Sequence, residues 1–286
     1  MTLRFMVADS EPADAREQRR LSAGASAGEA YAAVLAAIQP GATVELVNPA
    51  DADSPTFTPA ILARLDAVFL SGSPIHVYEE TAATGREIGF MRAVFASGTP
   101  SFGSCAGLQV AVAAAGGTVR AMRARRESGF ARNIWITPEG AAHPLLRGRP
   151  PAFSAITVHG DEVERLPDGA TLLASNTATV VQAVEIRHDG GTFWGVQYHP
   201  ELSLWELAAA TRRDTQTLIG EGLALDKDEV EHQAALIEAL GQEPDRADLA
   251  WRLGVDEQVI TDELRRRELR NFIDALVIPT AKARRS

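Results

Sequence analysis

Cysteine is nearly absent from this 286-residue chain, which has one, Cys105. That excludes an intramolecular disulfide and a cysteine-rich metal site. A lone cysteine is most often a small buried apolar residue, so Cys105 needs context before any other reading. Long apolar runs are also missing, and none reaches the roughly 18 residues that a bilayer span requires. Met1 to Ala8 reads as a first β-strand without the flanks of a signal peptide, so a cytoplasmic protein and no membrane partner are expected. Basic residues are in deficit, with 28 Lys+Arg against 38 Asp+Glu and a formal net charge of −10. No nucleic-acid partner held through phosphates is expected, although a small anionic substrate in a local pocket is compatible with this charge. No His-x-x-x-His spacing suggests a metal site, and no cofactor is expected. There is no internal repeat.

What is present is an alternation of short β-branched runs and helical stretches. Leu3–Ala8, Thr43–Val47, Ala67–Leu70 and Thr99–Phe102 read as strands. Glu29–Ile38, Ile61–Leu65 and Glu87–Ala96 read as helices between them, and Ser22–Gly28 as a loop. This pattern predicts a parallel sheet flanked by helices, with ligands beyond the carboxyl ends of the strands. Further strands are expected at Ile134–Ile136, Ala155–Val158 and Thr171–Ala174. Val180–Ile186 and Thr192–Tyr198 flank His188-Asp189-Gly190-Gly191, a hairpin signal because these turn residues accept positive φ. The sheet is therefore mixed and mostly parallel. From Trp205 the chain reads as helical, with a Leu269, Phe272, Ile273, Leu276 stripe stopped by Pro279 and a frayed end over Lys282–Ser286. The expected organisation is an α/β domain over 1–205 and a helical extension over 206–286.

Gly103-Ser104-Cys105-Ala106-Gly107-Leu108-Gln109 lies between a strand and an Ala/Val-rich helix. A nucleophile there sits in a sharp, strained turn, and glycines two residues to either side let neighbouring segments approach. The helix N-terminus favours negative charge on the sulfur, and the Ala106 N–H is a donor for an oxyanion. The bland alternative is a tight turn around a buried cysteine. Thiolate chemistry also needs a histidine. His199 ends the hairpin strand in Gly195-Val196-Gln197-Tyr198-His199-Pro200-Glu201, and Glu201 is placed to fix its tautomer.

With both segments in hand, the sequence resembles the class I (triad) glutamine amidotransferases, on Gly103 to Gln109 and Val196 to Glu201. Ser71-Gly72-Ser73-Pro74 resembles the family's oxyanion turn. Val158-His159-Gly160-Asp161-Glu162-Val163 resembles the His-Gly-Asp segment of GMP-synthetase-type members, and Arg126-Glu127-Ser128-Gly129 a family Arg-Glu-x-Gly segment. These motifs occur in the family's order and cover about residues 1 to 205. The resemblance implies a flavodoxin-like fold and hydrolysis of the glutamine side-chain amide through a γ-glutamyl thioester. It implies Cys105 as nucleophile, His199 as base and Glu201 as its orienter. Ser73 and Ala106 would be the oxyanion donors, with Gly72, Gln109 and Asp161 binding substrate. Two departures stand out. Ser73 occupies a position where many members carry a second glycine, which would be strained if the turn needs positive φ. Ala106 replaces a larger side chain, which would widen the mouth of the site. No Ser-Gly-Gly-x-Asp-Ser loop of an ATP-pyrophosphatase follows, so no synthetase half is recognisable.

Three functions are compatible with these residues. One is a glutaminase that passes ammonia to a separate synthetase. Another is a stand-alone γ-glutamyl amide hydrolase or transferase. The third is a non-catalytic regulatory protein on the same fold. The tail could be a lid, a surface for a homo-oligomer or a synthetase dock. His76 and Tyr78 are read as either pocket-lining or solvated, and His143, His188 and His232 as solvated. The basic run Arg120 to Arg132 is read as a solvated face with a docking surface as the alternative, and Arg265-Arg266-Arg267 as helix surface.

Overall fold

The computed structural model describes residues 2–123 and 125–285. The strands are β1 (Arg4–Ala8), β2 (Thr43–Val47), β3 (Ala67–Leu70), β4 (Ser101–Ser104), β5 (Thr118–Ala121) and β6 (Glu127–Ile136), then β7 (Ala152–His159), β8 (Asp161–Arg165), β9 (Ala170–Ser175), β10 (Ala183–His188) and β11 (Gly191–Val196). Nine of them form one sheet in the order β2-β1-β3-β4-β11-β10-β9-β6-β7, and β5 pairs separately with β8. From β2 to β11 neighbours run parallel, and from β11 to β7 they run antiparallel. The mixed α/β architecture expected above is the one observed. The β10–β11 hairpin turns on Asp189 (φ 46°) and Gly190 (φ 80°), the positive values that the Asp-Gly pair announces.

Helices α1 (Ala13–Ala23), α2 (Ala27–Ile38), α3 (Pro59–Leu62), α4 (Ala82–Ser97), α5 (Ala106–Ala114) and α6 (Pro138–Ala142) connect these strands. Alternation along β1 and β3 feeds both faces of the sheet. Phe5, Val7 and Phe69 join one buried cluster with Tyr31 and Leu35 of α2. Met6, Ala8, Val68 and Leu70 join another with Phe90 and Val94 of α4 and Leu108 and Val112 of α5. Both faces are therefore covered, as a parallel sheet requires. Helix α1 covers most of the stretch before the expected Ser22–Gly28 loop, which shortens to Gly24–Ser26. Ser26 forms a capping box with Glu29 that starts α2.

The tail contains α7 (Leu204–Arg213), α8 (Thr215–Gly220), α9 (Lys227–Gln242), α10 (Ala247–Leu253), α11 (Glu257–Ile260), α12 (Asp262–Arg265), α13 (Arg267–Phe272) and α14 (Ile278–Arg285). It packs its apolar stripes on its own chain. Leu207, Ala234, Ile237, Leu249 and Val259 bury Ile156 of the edge strand β7. Leu269, Phe272, Ile273 and Val277 complete the cluster around Phe5 and Phe69. Phe272 meets Phe69 edge-on at 5.5 Å. Pro279 does not stop this helix. A π-turn over Ile273–Val277 precedes it, the kind of ladder shift that accommodates a residue lacking an N–H, and α14 continues to Arg285. The end is not frayed either. Arg284 donates to the Gly98 carbonyl and Arg285 to Asp66, while Ser286 lies outside the described residues.

Arg265 is buried rather than surface-exposed, because its guanidinium satisfies the Val259 and Ile260 carbonyls and pairs with Asp262. Among the described residues, no single helix is long and apolar enough to cross a membrane.

Candidate active site

Cys105 follows β4 directly and precedes α5, with φ 53° and ψ −110°, a conformation rarely adopted outside glycine. Its N–H bonds the Val196 carbonyl at 2.9 Å, which continues the β4–β11 ladder to the sulfur-bearing residue. The flanking glycines are required by contact. A Cβ on Gly103 would lie 2.7 Å from the Gly107 carbonyl carbon, and one on Gly107 would lie 2.6 Å from the Leu70 carbonyl oxygen. The elbow thus wedges against the end of β3, where the Ser71 to Pro74 turn begins. Ala106, the first residue of α5, has an N–H outside the helical i→i−4 ladder.

His199 lies three residues beyond β11, and its N–H bonds the Ile156 carbonyl of β7 at 2.8 Å. Its Nδ1–H donates to Glu201 Oε1 at 2.7 Å, which leaves Nε2 as the nitrogen available to Cys105. Burial works against a charged imidazolium here. The Glu201 carboxylate and then the Cys105 sulfur outweigh it, and hold His199 up at about 10. Gly72 approaches the ring so closely that a Cβ there would sit 2.7 Å from Cε1. The structure therefore brings Cys105, His199, Glu201, Gly72 and Ala106 to one place. Ser73 follows Gly72 with no positive φ, so serine is unstrained in the turn. Its hydroxyl donates to the Ser10 carbonyl at 2.7 Å.

Asp161 and Gln109 form the wall beside the elbow. Gln109 Nε2 donates to the Asp161 carbonyl at 3.1 Å and to Gln197 Oε1 at 3.2 Å. The His159 Nδ1–H donates to the same carbonyl at 2.8 Å. Glu127, of the Arg-Glu-x-Gly segment, lies 2.9 Å from His159 Nε2 and accepts from Asn176 and Gln182. The Asp161 carboxylate is bridged by His76 Nδ1 at 2.7 Å and by the Tyr78 hydroxyl at 3.2 Å, which assigns those two residues to the rim of this wall.

His143 is not solvated: its Nε2 faces Glu185 at 3.3 Å and its ring packs on Trp194. His188 packs edge-on against Phe95, and His232 is exposed. Among the described residues, no group of three or more His, Cys, Asp or Glu is placed to hold a metal ion.

The basic run is engaged within the chain. Arg120 pairs with Glu162 and Glu164, and Arg125 donates to the Gly222 carbonyl. Arg126 pairs with Asp214, and Arg132 donates to the Leu253 and Gly254 carbonyls. Ala124, within this run, lies outside the described residues. Two further contacts had no signal in the sequence. Tyr198, beside His199, donates to Glu268 of α13 at 2.9 Å, and Glu268 is paired with buried Arg149. Ser10 and Glu87, each fully buried, stand behind the Ser71 to Pro74 turn.

Residues 23–214 match the family described as glutamine amidotransferase class-I. Over 285 residues the chain is 37% identical to a γ-glutamyl-L-1-hydroxyisopropylamide hydrolase of a Pseudomonas species, covering 98% of this chain and 95% of that protein. It is 36% identical over 149 residues to the glutamine-hydrolysing GMP synthase of Leifsonia xyli, of which it spans only 28%. Among solved structures, a glutamine amidotransferase from Thermotoga maritima shares the fold with a TM-score of 0.61 at 15% identity, over 97% of this chain and 99% of that one. A glutamine amidotransferase from Methylobacillus flagellatus shares it with a TM-score of 0.56 at 16% identity, over 96% of this chain and 95% of that one. With a strained cysteine elbow facing a histidine–glutamate pair, and with this family match, the chain belongs to the class-I glutamine amidotransferases, cysteine-dependent enzymes that act on amides.

Proposed function

We propose that this chain is a free-standing hydrolase of γ-glutamyl amides, acting through a γ-glutamyl thioester on Cys105. The observation that carries the reading is the convergence of the Cys105 elbow, the 2.7 Å His199–Glu201 pair and the Gly72 turn. The thiolate attacks the γ-carbonyl carbon, and the Ser73 and Ala106 N–H groups receive the oxyanion. The His199 imidazolium gives its proton to the departing nitrogen as the C–N bond breaks, and the amine leaves. Water then attacks the thioester while His199 takes its proton, and collapse of the oxyanion releases glutamate and restores the thiolate. Glu201 holds the histidine tautomer throughout. Gly72 and Asp161 bind the glutamyl moiety, with Asp161 accepting its ammonium. Its carboxylate oxygens retain acceptor capacity beyond the His76 and Tyr78 bonds. Gln109 orients Asp161.

The amine released is the open choice, ammonia from glutamine or a larger amine from an N-substituted γ-glutamyl amide. Two observations favour the larger amine. Similarity to the Pseudomonas hydrolase extends through the tail, whereas the GMP synthases match less than half or about half of the chain. The arginine run that would suit a synthetase dock is engaged by the tail instead. The second reading, ammonia supply to a separate synthetase, rests on the glutamine-hydrolysing GMP synthase relatives. Comparing kcat/KM for glutamine and for a γ-glutamyl N-hydroxyalkylamide tests the choice. A higher value for the substituted amide, with no activation by a synthetase, supports the hydrolase. Preference for glutamine overturns it.

A further inference from the structure

The turn that carries Ser73 is held from behind by one residue. Ser10, two residues past β1, donates its N–H to Ser71 Oγ at 3.1 Å, and its carbonyl accepts the Ser73 hydroxyl at 2.7 Å. The Ser10 hydroxyl donates in turn to Glu87 Oε2 at 3.1 Å. Glu87 lies on α4, the first helix after the turn, and Ser10, Ser71 and Glu87 are all 0% exposed. Among the described residues Glu87 Oε1 has no hydrogen-bond partner. A carboxyl oxygen without a partner is costly to bury, yet this carboxyl stands one hydroxyl away from the turn.

Its surroundings are acidic. Burial first, and then the Asp9 and Asp51 carboxylates, push Glu87 up to about 7 against the opposing bonds from Ser10 and the Ala50 N–H. Asp9 is engaged by Ser26, and Asp51 by Arg16. Among the described residues, no arginine or lysine bonds Glu87.

We propose that Glu87 is a positioning residue for the oxyanion turn, acting through Ser10 on Ser71 and Ser73. The inference rests on the proposed thioester chemistry at Cys105, in which the Ser73 N–H is an oxyanion donor. As a carboxylate, Glu87 accepts the Ser10 hydroxyl in a charge-assisted bond. That bond fixes the Ser10 backbone, whose N–H and carbonyl set the height of the turn over Cys105. The neutral acid holds Ser10 less firmly, so the donor is best placed when Glu87 is ionised.

The test compares wild type, Glu87→Gln, Ser10→Ala and the double variant, with kcat and KM measured separately across pH 7 on a γ-glutamyl amide. Each single change is expected to lower kcat roughly tenfold, less than outright loss of an oxyanion donor, with KM within about twofold. The double variant should be no slower than the slower single, because both act on one chain of bonds. Wild-type kcat should rise as pH passes about 7, and both single variants should lack that step. Alkylation of Cys105 by iodoacetamide, which needs no oxyanion donor, should be unchanged. Glu87→Gln is nearly isosteric, and a cooperative unfolding transition shows that it folds. Wild-type kcat in both single variants, additive losses, a loss confined to KM, or slowed alkylation overturns the proposal. Failure of the underlying reading is separate, because it shows as hydrolysis surviving in Cys105→Ala.

Discussion

Gly72 and His199 touch: a Cβ built on Gly72 would sit 2.7 Å from His199 Cε1. No side chain tolerates that distance, so Gly72→Ala must push the imidazole away from Cys105 or lift the turn. Either movement misplaces a reacting group by a fraction of an ångström to about 1 Å, and kcat is expected to fall roughly 10²-fold. Steady-state kinetics beside an unchanged circular dichroism spectrum is the check. Activity within threefold of wild type would mean that the turn and the ring do not act together.

The His199–Glu201 pair predicts a pH signature. Against the opposing effect of burial, the Glu201 carboxylate and the Cys105 sulfur raise His199 from 6.5 to about 10. In the proposed mechanism the imidazolium is the acid for the leaving amine, so kcat/KM should fall on a basic limb near pH 10 in wild type. Glu201→Gln removes the larger of these two favourable influences, so the limb should move to lower pH and the maximal rate should drop roughly 10²-fold or more. Linkage gives a second readout. A folded value above the unfolded one contributes stability that is complete below pH 6.5 and is lost as pH rises through about 10. The variant should show a smaller loss, beginning at lower pH. A basic limb that does not move in Glu201→Gln would remove Glu201 from this role.

Phe272 tests whether the tail belongs to the core. It is 0% exposed and meets Phe69, Phe102 and Trp194 at 5.5 to 5.8 Å. Phe272→Ala should cost about 3–5 kcal/mol, as expected for an aromatic deleted from a packed interior. Urea denaturation should show one cooperative transition at a lower midpoint. Two separated transitions, with the first insensitive to the substitution, would mean that the tail folds independently.

Much of the site is legible in the sequence because its constraints are local. Gly103 reads as a required glycine since its steric demand comes from Gly107 and Leu108, within a few residues of Cys105, whereas the demand on Gly107 comes from the distant Leu70 carbonyl and only the elbow pattern marks it; Asp189-Gly190 names its own turn. The family motifs locate His199 and Glu201 without any geometry. Other features fail to read because they depend on distant partners. Glu87 meets Ser10 across 77 positions and Arg149 meets Glu268 across 119, and nothing in either local pattern announces the pairing. Arg265 reads as surface until its carbonyl partners are known, and His143 until Glu185 and Trp194 surround it. Pro279 obeys the rule that proline breaks a helix only where no π-turn relieves it. Helix α1 carries no apolar stripe, its one buried residue being Arg16 held by Asp51, so periodicity misses it.

The most direct measurement is the intact mass of the chain quenched during turnover. Glutamine and a γ-glutamyl N-hydroxyalkylamide should each leave the same adduct, a glutamyl group on the peptide containing Cys105, with the larger amine appearing in solution. Cys105→Ala should carry no adduct and hydrolyse neither substrate. An adduct that retains the amine, an adduct elsewhere on the chain, or turnover by Cys105→Ala would contradict thioester chemistry at this cysteine.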